Sequence, residues 1–135
     1  MGCDIHFAIE KKKGTKWFGI CSTDFGYRPS AKDRNYEFFS QLAGVRGEGP
    51  SPKGIPTDKS DLTAECLKRW NGDAHSMTYM AVDEFVAIWI KQGRDIEAVV
   101  EDSKYITLDK CLDLGQIVEE PNWETKYRIV IWFDN

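Results

Sequence analysis

The chain has only two histidines, no C-x-x-C pair among its four cysteines, and no apolar run approaching the length of a bilayer span. The first scarcity confines imidazole chemistry to two positions. The second removes the ligand spacing of a zinc ribbon. The third leaves no candidate transmembrane helix, so no membrane partner is expected. Internal repeats, low-complexity tracts and linker-like stretches are also missing, and 135 residues read as one domain, 1–135. A Gly/Pro-rich stretch at 47–57 lacks the Gly-Lys-Ser/Thr that opens a helix in a Walker-type loop, and reads as a long, functional or mobile loop instead. A concentrated basic face is absent as well. The formal net charge is −4, which disfavours duplex nucleic acid as a partner and is too modest for a DNA mimic. The one dense basic run, Lys11-Lys12-Lys13, precedes Gly14 and reads as a solvated hairpin turn. The segment from Met1 reads as a strand and not as a basic region followed by an apolar run. The expectation is a soluble, cytoplasmic chain with reduced thiols.

What is abundant is aromatic side chain: seven Phe, five Tyr and five Trp, enough apolar bulk to exclude global disorder. Residues 3–10 alternate, with Cys3, Ile5, Phe7 and Ile9 on one face and Asp4, His6, Ala8 and Glu10 on the other, the pattern of a half-buried strand. A turn at Lys13-Gly14-Thr15 leads to a second strand, Lys16 to Cys21, and residues 22–34 read as a loop. Helical spacing predicts helices near 35–44, 60–70 and 82–92, with Asp33 or Asn35 capping the first and Asp58 or Ser60 the second. A weaker helical signal spans 94–102, a short extended piece fits 76–80, and 103–124 gives no clear pattern. Lys126 to Asp134 alternates again as a terminal strand. Strands at both ends with helices between predict an α+β fold: a small, mainly antiparallel sheet of N- and C-terminal strands with helices packed on one face.

Both histidines follow an aspartate by two positions, in Asp4-Ile5-His6 and Asp73-Ala74-His75. With twelve aspartates in the chain, composition alone gives this coincidence roughly one time in a hundred. On a strand, residues two apart share a face, so Asp4 and His6 stand side by side. Such a pair can bind a metal, move a proton, or form a local hydrogen-bonded couple. The second pair lies in a break between helices, where Asp73 also suits a turn. If the two pairs converge, Asp4, His6, Asp73 and His75 form a catalytic and metal-binding set for zinc, manganese or a similar divalent ion, with an open water position. If the terminal strand pairs with the first, Arg128, Trp132 and Asp134 join the polar face. Arg would then hold an anion, Trp would stack on a ring, and Asp would take ribose or amino groups. The same residues equally suit a strand surface whose charges pair locally. Arg34 and Asn35 sit where a helix N-terminus offers an anion site, and Arg46 is a further anion-binding candidate. Cys3 faces away from His6 on a strand and reads as core, not as a nucleophile.

The opening Met-Gly-Cys-Asp-Ile-His, the run Arg34-Asn35-Tyr36 to Leu42-Ala43-Gly44-Val45-Arg46, Gly72-Asp73-Ala74-His75-Ser76, and the closing Trp132-Phe133-Asp134-Asn135 resemble a group of small proteins encoded by bacteriophages and bacterial genomes. In that group the polar stretch after Gly-Asp is often followed by Trp. Here it runs Ala74-His75-Ser76-Met77-Thr78-Tyr79, so no role carries to that position. The resemblance brings no activity; it implies a phage or mobile-element setting, in which small accessory proteins often act on host nucleotide signals. Three readings follow. One is a metal-assisted hydrolase of a nucleotide or phosphate ester. The second is a non-catalytic binder that sequesters a nucleotide-like signal in counter-defence. The third is a protein–protein inhibitor of a host factor, acting through an aromatic patch at 47–57 or on a helix. A homo-oligomer is compatible with all three.

Overall fold

The computed structural model describes residues 3–22, 36–70, 72–91, 117 and 119–134. The N-terminal strand is β1 (Asp4–Lys13), which turns at Gly14-Thr15 and returns as β2 (Lys16–Ser22). There follow α1 (Tyr36–Ala43), α2 (Asp61–Arg69), β3 (His75–Ala81), α3 (Val82–Ile90), a single turn α4 (Trp123–Lys126) and β4 (Tyr127–Asp134). Among the described residues the strands form one sheet in the order β2-β1-β4-β3, each neighbouring pair antiparallel. The expected α+β architecture, a small antiparallel sheet with the terminal strands paired and helices packed against it, is therefore what the chain adopts. The helical signal at 94–102 and the loop beyond Ser22 lie outside the described residues, as do Asp33 and Cys111.

The local reasons are those of the sequence. In α1, Phe38, Phe39, Leu42 and Ala43 are buried on one stripe. The helix stops at Gly44, whose φ of +70° is a left-handed conformation; its N–H bonds the Ser40 carbonyl at 2.7 Å. Ser60 caps α2, its hydroxyl accepting from the Thr63 N–H at 3.2 Å. The 47–57 segment is a loop, and it runs beside β3: the Gly54 N–H donates to the Met77 carbonyl (2.8 Å) and the Lys53 N–H to Thr78 Oγ1 (3.2 Å).

Register divides the side chains between two faces. On one, Phe7, Ile9, Tyr127, Ile129, Ile131, Phe133 and Met80 pack with Phe39 and Leu42 of α1 and Phe85 and Val86 of α3. On the other, Ala8, Val130 and Trp132 pack with Cys66, Leu62 and Trp70 from α2 and its C-terminal end. The second face is thus also covered, which adds to the expected single helical layer. It explains why Tyr127 to Phe133 are all buried: β4 is central in the sheet and sandwiched on both sides.

Candidate functional site

The register β1–β4 sets Asp4 opposite Asp134, His6 opposite Trp132 and Glu10 opposite Arg128. Cross-strand partners share a face, so these six residues stand in one row beneath α2. The helix follows that row. Its capping end reaches Glu10, and Trp70 just past its last turn reaches His6. The four strand steps from His6 to Glu10 and the nine residues of α2 each span about 13 Å, so one short helix covers both polar clusters.

At the first cluster, His6 Nε2 lies 2.7 Å from Asp134 Oδ1. The carboxylate only accepts, so the imidazole donates through Nε2–H and Nδ1 is the acceptor nitrogen of the neutral ring. Trp70 packs on the imidazole with ring centroids 4.2 Å apart, Trp132 lies at 6.2 Å, and His6 is 6% exposed. Asp4, half-buried, adds a second carboxylate directly across from Asp134.

At the second cluster, Glu10 is fully buried. Its Oε1 accepts from Arg128 Nε at 2.6 Å, and its Oε2 from the Ser60 N–H at 2.6 Å and the Thr63 hydroxyl at 2.7 Å. Burial pushes this carboxyl up, but the hydrogen bonds from Ser60, Thr63 and Arg128 together outweigh it and hold the group below its ordinary range. Arg128 also donates through Nη1 to Asp58 Oδ1 (2.9 Å) and through Nη2 to the Asp58 carbonyl (3.1 Å), and it stacks on Trp17 at 4.1 Å. The Arg128 guanidinium holds the Asp58 carboxyl below its usual value.

The other expectations are redistributed by the same register. His75 pairs with Phe133 across β3–β4 and stacks near its ring, with centroids 6.3 Å apart. Phe133 and His6 alternate in register, so the two imidazoles stand on opposite faces of the sheet. The strands that carry them are two apart, about 10 Å. His75 Nδ1 contacts Ser76 Oγ at 3.0 Å, and Asp73 is an exposed turn residue whose N–H bonds the Trp70 carbonyl. Asp4, His6, Asp73 and His75 therefore do not converge. Among the described residues no group of three or more His, Cys, Asp or Glu side chains gathers into a metal site. The expected four-ligand centre of Asp4, His6, Asp73 and His75 is therefore not formed among the described residues.

Trp132 is fully buried and offers no ring face to a base; its Nε1 has no hydrogen-bond partner among the described residues, nor has His75 Nε2. Arg128, 7% exposed and committed to Glu10 and Asp58, is not placed to hold a ligand anion. Arg46 is exposed, lies over the Tyr36 ring at 4.5 Å, and follows α1 on the far side of the sheet from His6. Arg34 and Asn35 lie outside the described residues. The groups that sequence reasoning missed are Trp70, Asp58 and Trp17. Each reaches its partner across elements; in the sequence Asp58 read only as a possible helix cap and Trp70 only as the end of a helix at 60–70.

A scan against models of known protein families, a search of curated proteins and a search of solved structures each returned no match. Among the described residues no helix is long and apolar enough to cross a membrane.

Proposed function

We propose that the chain is a phage or mobile-element accessory protein that acts on a nucleotide or other phosphate ester, with His6 and Asp134 as its acid–base pair. The supporting observation is the 2.7 Å hydrogen bond from His6 Nε2 to Asp134, made on the face that also carries Asp4. Asp134 orients the ring through Nε2–H, leaving Nδ1 to take a proton from water or a substrate hydroxyl. No step is assigned to a metal. Incubation with a panel of nucleotides and phosphate esters, followed by chromatography, should show turnover that His6→Asn and Asp134→Asn reduce by about 10²-fold or more, with folding checked by circular dichroism. Full activity in both variants rejects this role.

The near-complete burial of His6 under Trp70 favours a second reading, sequestration without cleavage. In that case the protein melts at a higher temperature with ligand, and the ligand is recovered intact after denaturation. Recovery of product alone decides for the enzyme.

A further inference from the structure

The two edges of the sheet differ. The loop at Lys53-Gly54 hydrogen-bonds along β3. In contrast, β2 has one strand neighbour among the described residues, β1, and a cleft of about 400 Å³ is lined by residues 15–19 and 58–62. Phe18 on this strand is 44% exposed, the most exposed large hydrophobic side chain among the described residues, and Gly19 is exposed beside it. An exposed strand edge carries backbone donors and acceptors ready to pair with another strand. A cleft between such an edge and a helix is a geometry in which an extended peptide adds a strand and places alternate side chains in the groove.

Charge selects the occupant. Lys12, Lys13, Lys16 and Lys59 are exposed around this edge. Opposing them are Asp61 at the start of α2 and the one net negative charge of the cluster in which Arg128 pairs with both Glu10 and Asp58. The region is thus basic on a chain whose net charge is −4. Lysines on an edge discourage a second copy of the same strand, because pairing would bring two basic sets together. An acidic strand meets attraction at the same positions. The floor is fixed. Trp17 is stacked on Arg128, which Glu10 and Asp58 hold in place, and Gly19 lets α2 approach so closely that an added Cβ would lie 2.3 Å from Leu62 Cβ.

We propose that the β2 edge and the start of α2 form a docking groove for an extended acidic segment of a partner protein, which adds to the sheet beside β2. The proposal does not rest on the chemistry assigned to His6. It is tested with a labelled, end-blocked Glu-Val-Glu-Val-Glu-Val peptide, read by fluorescence anisotropy and by amide chemical shifts. The expected result is binding with shifts concentrated at residues 15–19 and 58–62. The Lys16→Glu/Lys59→Glu variant should bind at least about tenfold more weakly while its melting temperature stays close to that of the parent, because both lysines are exposed. A peptide N-methylated at alternate residues, which cannot complete the strand ladder, should also bind at least about tenfold more weakly. Equal binding of the N-methylated peptide or of a Lys-Val counterpart overturns the proposal. So does tighter binding of a single-stranded oligothymidylate at the same amides, or a concentration-dependent dimer that occupies them.

Discussion

Arg128 is the residue on which the most depends. It joins a fully buried Glu10 on β1 to the Asp58 carboxylate and carbonyl before α2, and lies against Trp17 of β2. A buried ion pair gains little over well-packed apolar residues, because desolvation offsets the attraction; removing one partner is what costs, because it strands the other charge. Arg128→Met should therefore lower the unfolding free energy by about 3–5 kcal/mol. Glu10→Met/Arg128→Met should recover a large part of that loss. Urea denaturation of both variants checks this, and a double variant as unstable as the single one would refute the account. The loss arises in the packing of α2 against the sheet, since Ser60 and Thr63 hydrogen-bond the same Glu10 carboxylate.

At the scale of elements, two contacts fix how helices and strands meet. The approach of α2 to β2 depends on Gly19, where a methyl group would collide with Leu62. Gly19→Ala should cost about 1–3 kcal/mol by forcing the helix outward. Gly19→Ala/Leu62→Ala should cost less than the sum of its two single changes, measured in the same denaturant series. The second contact ties the turn before β4 to β1. Glu120 takes Lys11 Nζ at 2.7 Å, Lys126 Nζ at 3.4 Å and the Tyr127 hydroxyl. Lys11 foremost, then Tyr127 and Lys126, bring the Glu120 carboxyl down from 4.5 to about 2. A carboxylate depressed in the folded state stabilises it above the unfolded value, and that contribution is lost as pH falls through the folded one. For Glu120 the window runs from 4.5 down to about 2. Glu10, also lowered, acts in the same direction below 4.5. Stability measured against pH should therefore fall less steeply on the acid side in Glu120→Gln and in Glu10→Gln than in the parent.

For the whole molecule, the sheet is a partition between the two histidines. His6 faces α2 with Trp70 and Trp132, while His75 faces the layer of α1 and α3 beside Phe133. Residues that share no partner contribute independently. A double-mutant cycle of His6→Asn and His75→Asn should give a coupling energy within about 0.5 kcal/mol of zero, and His75→Asn should leave turnover or ligand affinity unchanged where His6→Asn lowers it. Strong coupling would mean that the two imidazoles share a site after all.

Much of the fold was legible in local pattern, because the strongest signals were periodic. Alternation at 3–10 and 126–134 marked β1 and β4, and helical spacing marked α1, α2 and α3 to within a few residues. Alternation also placed Asp4, His6 and Glu10 on one face, and β4 pairing brought Asp134 and Arg128 to it. The same pattern misled where it was silent about distance. Asp4-x-His6 suggests a couple, yet the partner the fold supplies for His6 is Asp134, 128 positions away. Arg128 and Trp132 read as exposed ligand groups, because nothing local announces that α2 lies over them. By itself the sequence determined the elements and their inward faces, since both follow from backbone geometry and burial over a few residues. Tertiary structure alone decided which polar groups meet and which stand apart, since register and helix placement bring together residues whose separation along the chain carries no signal.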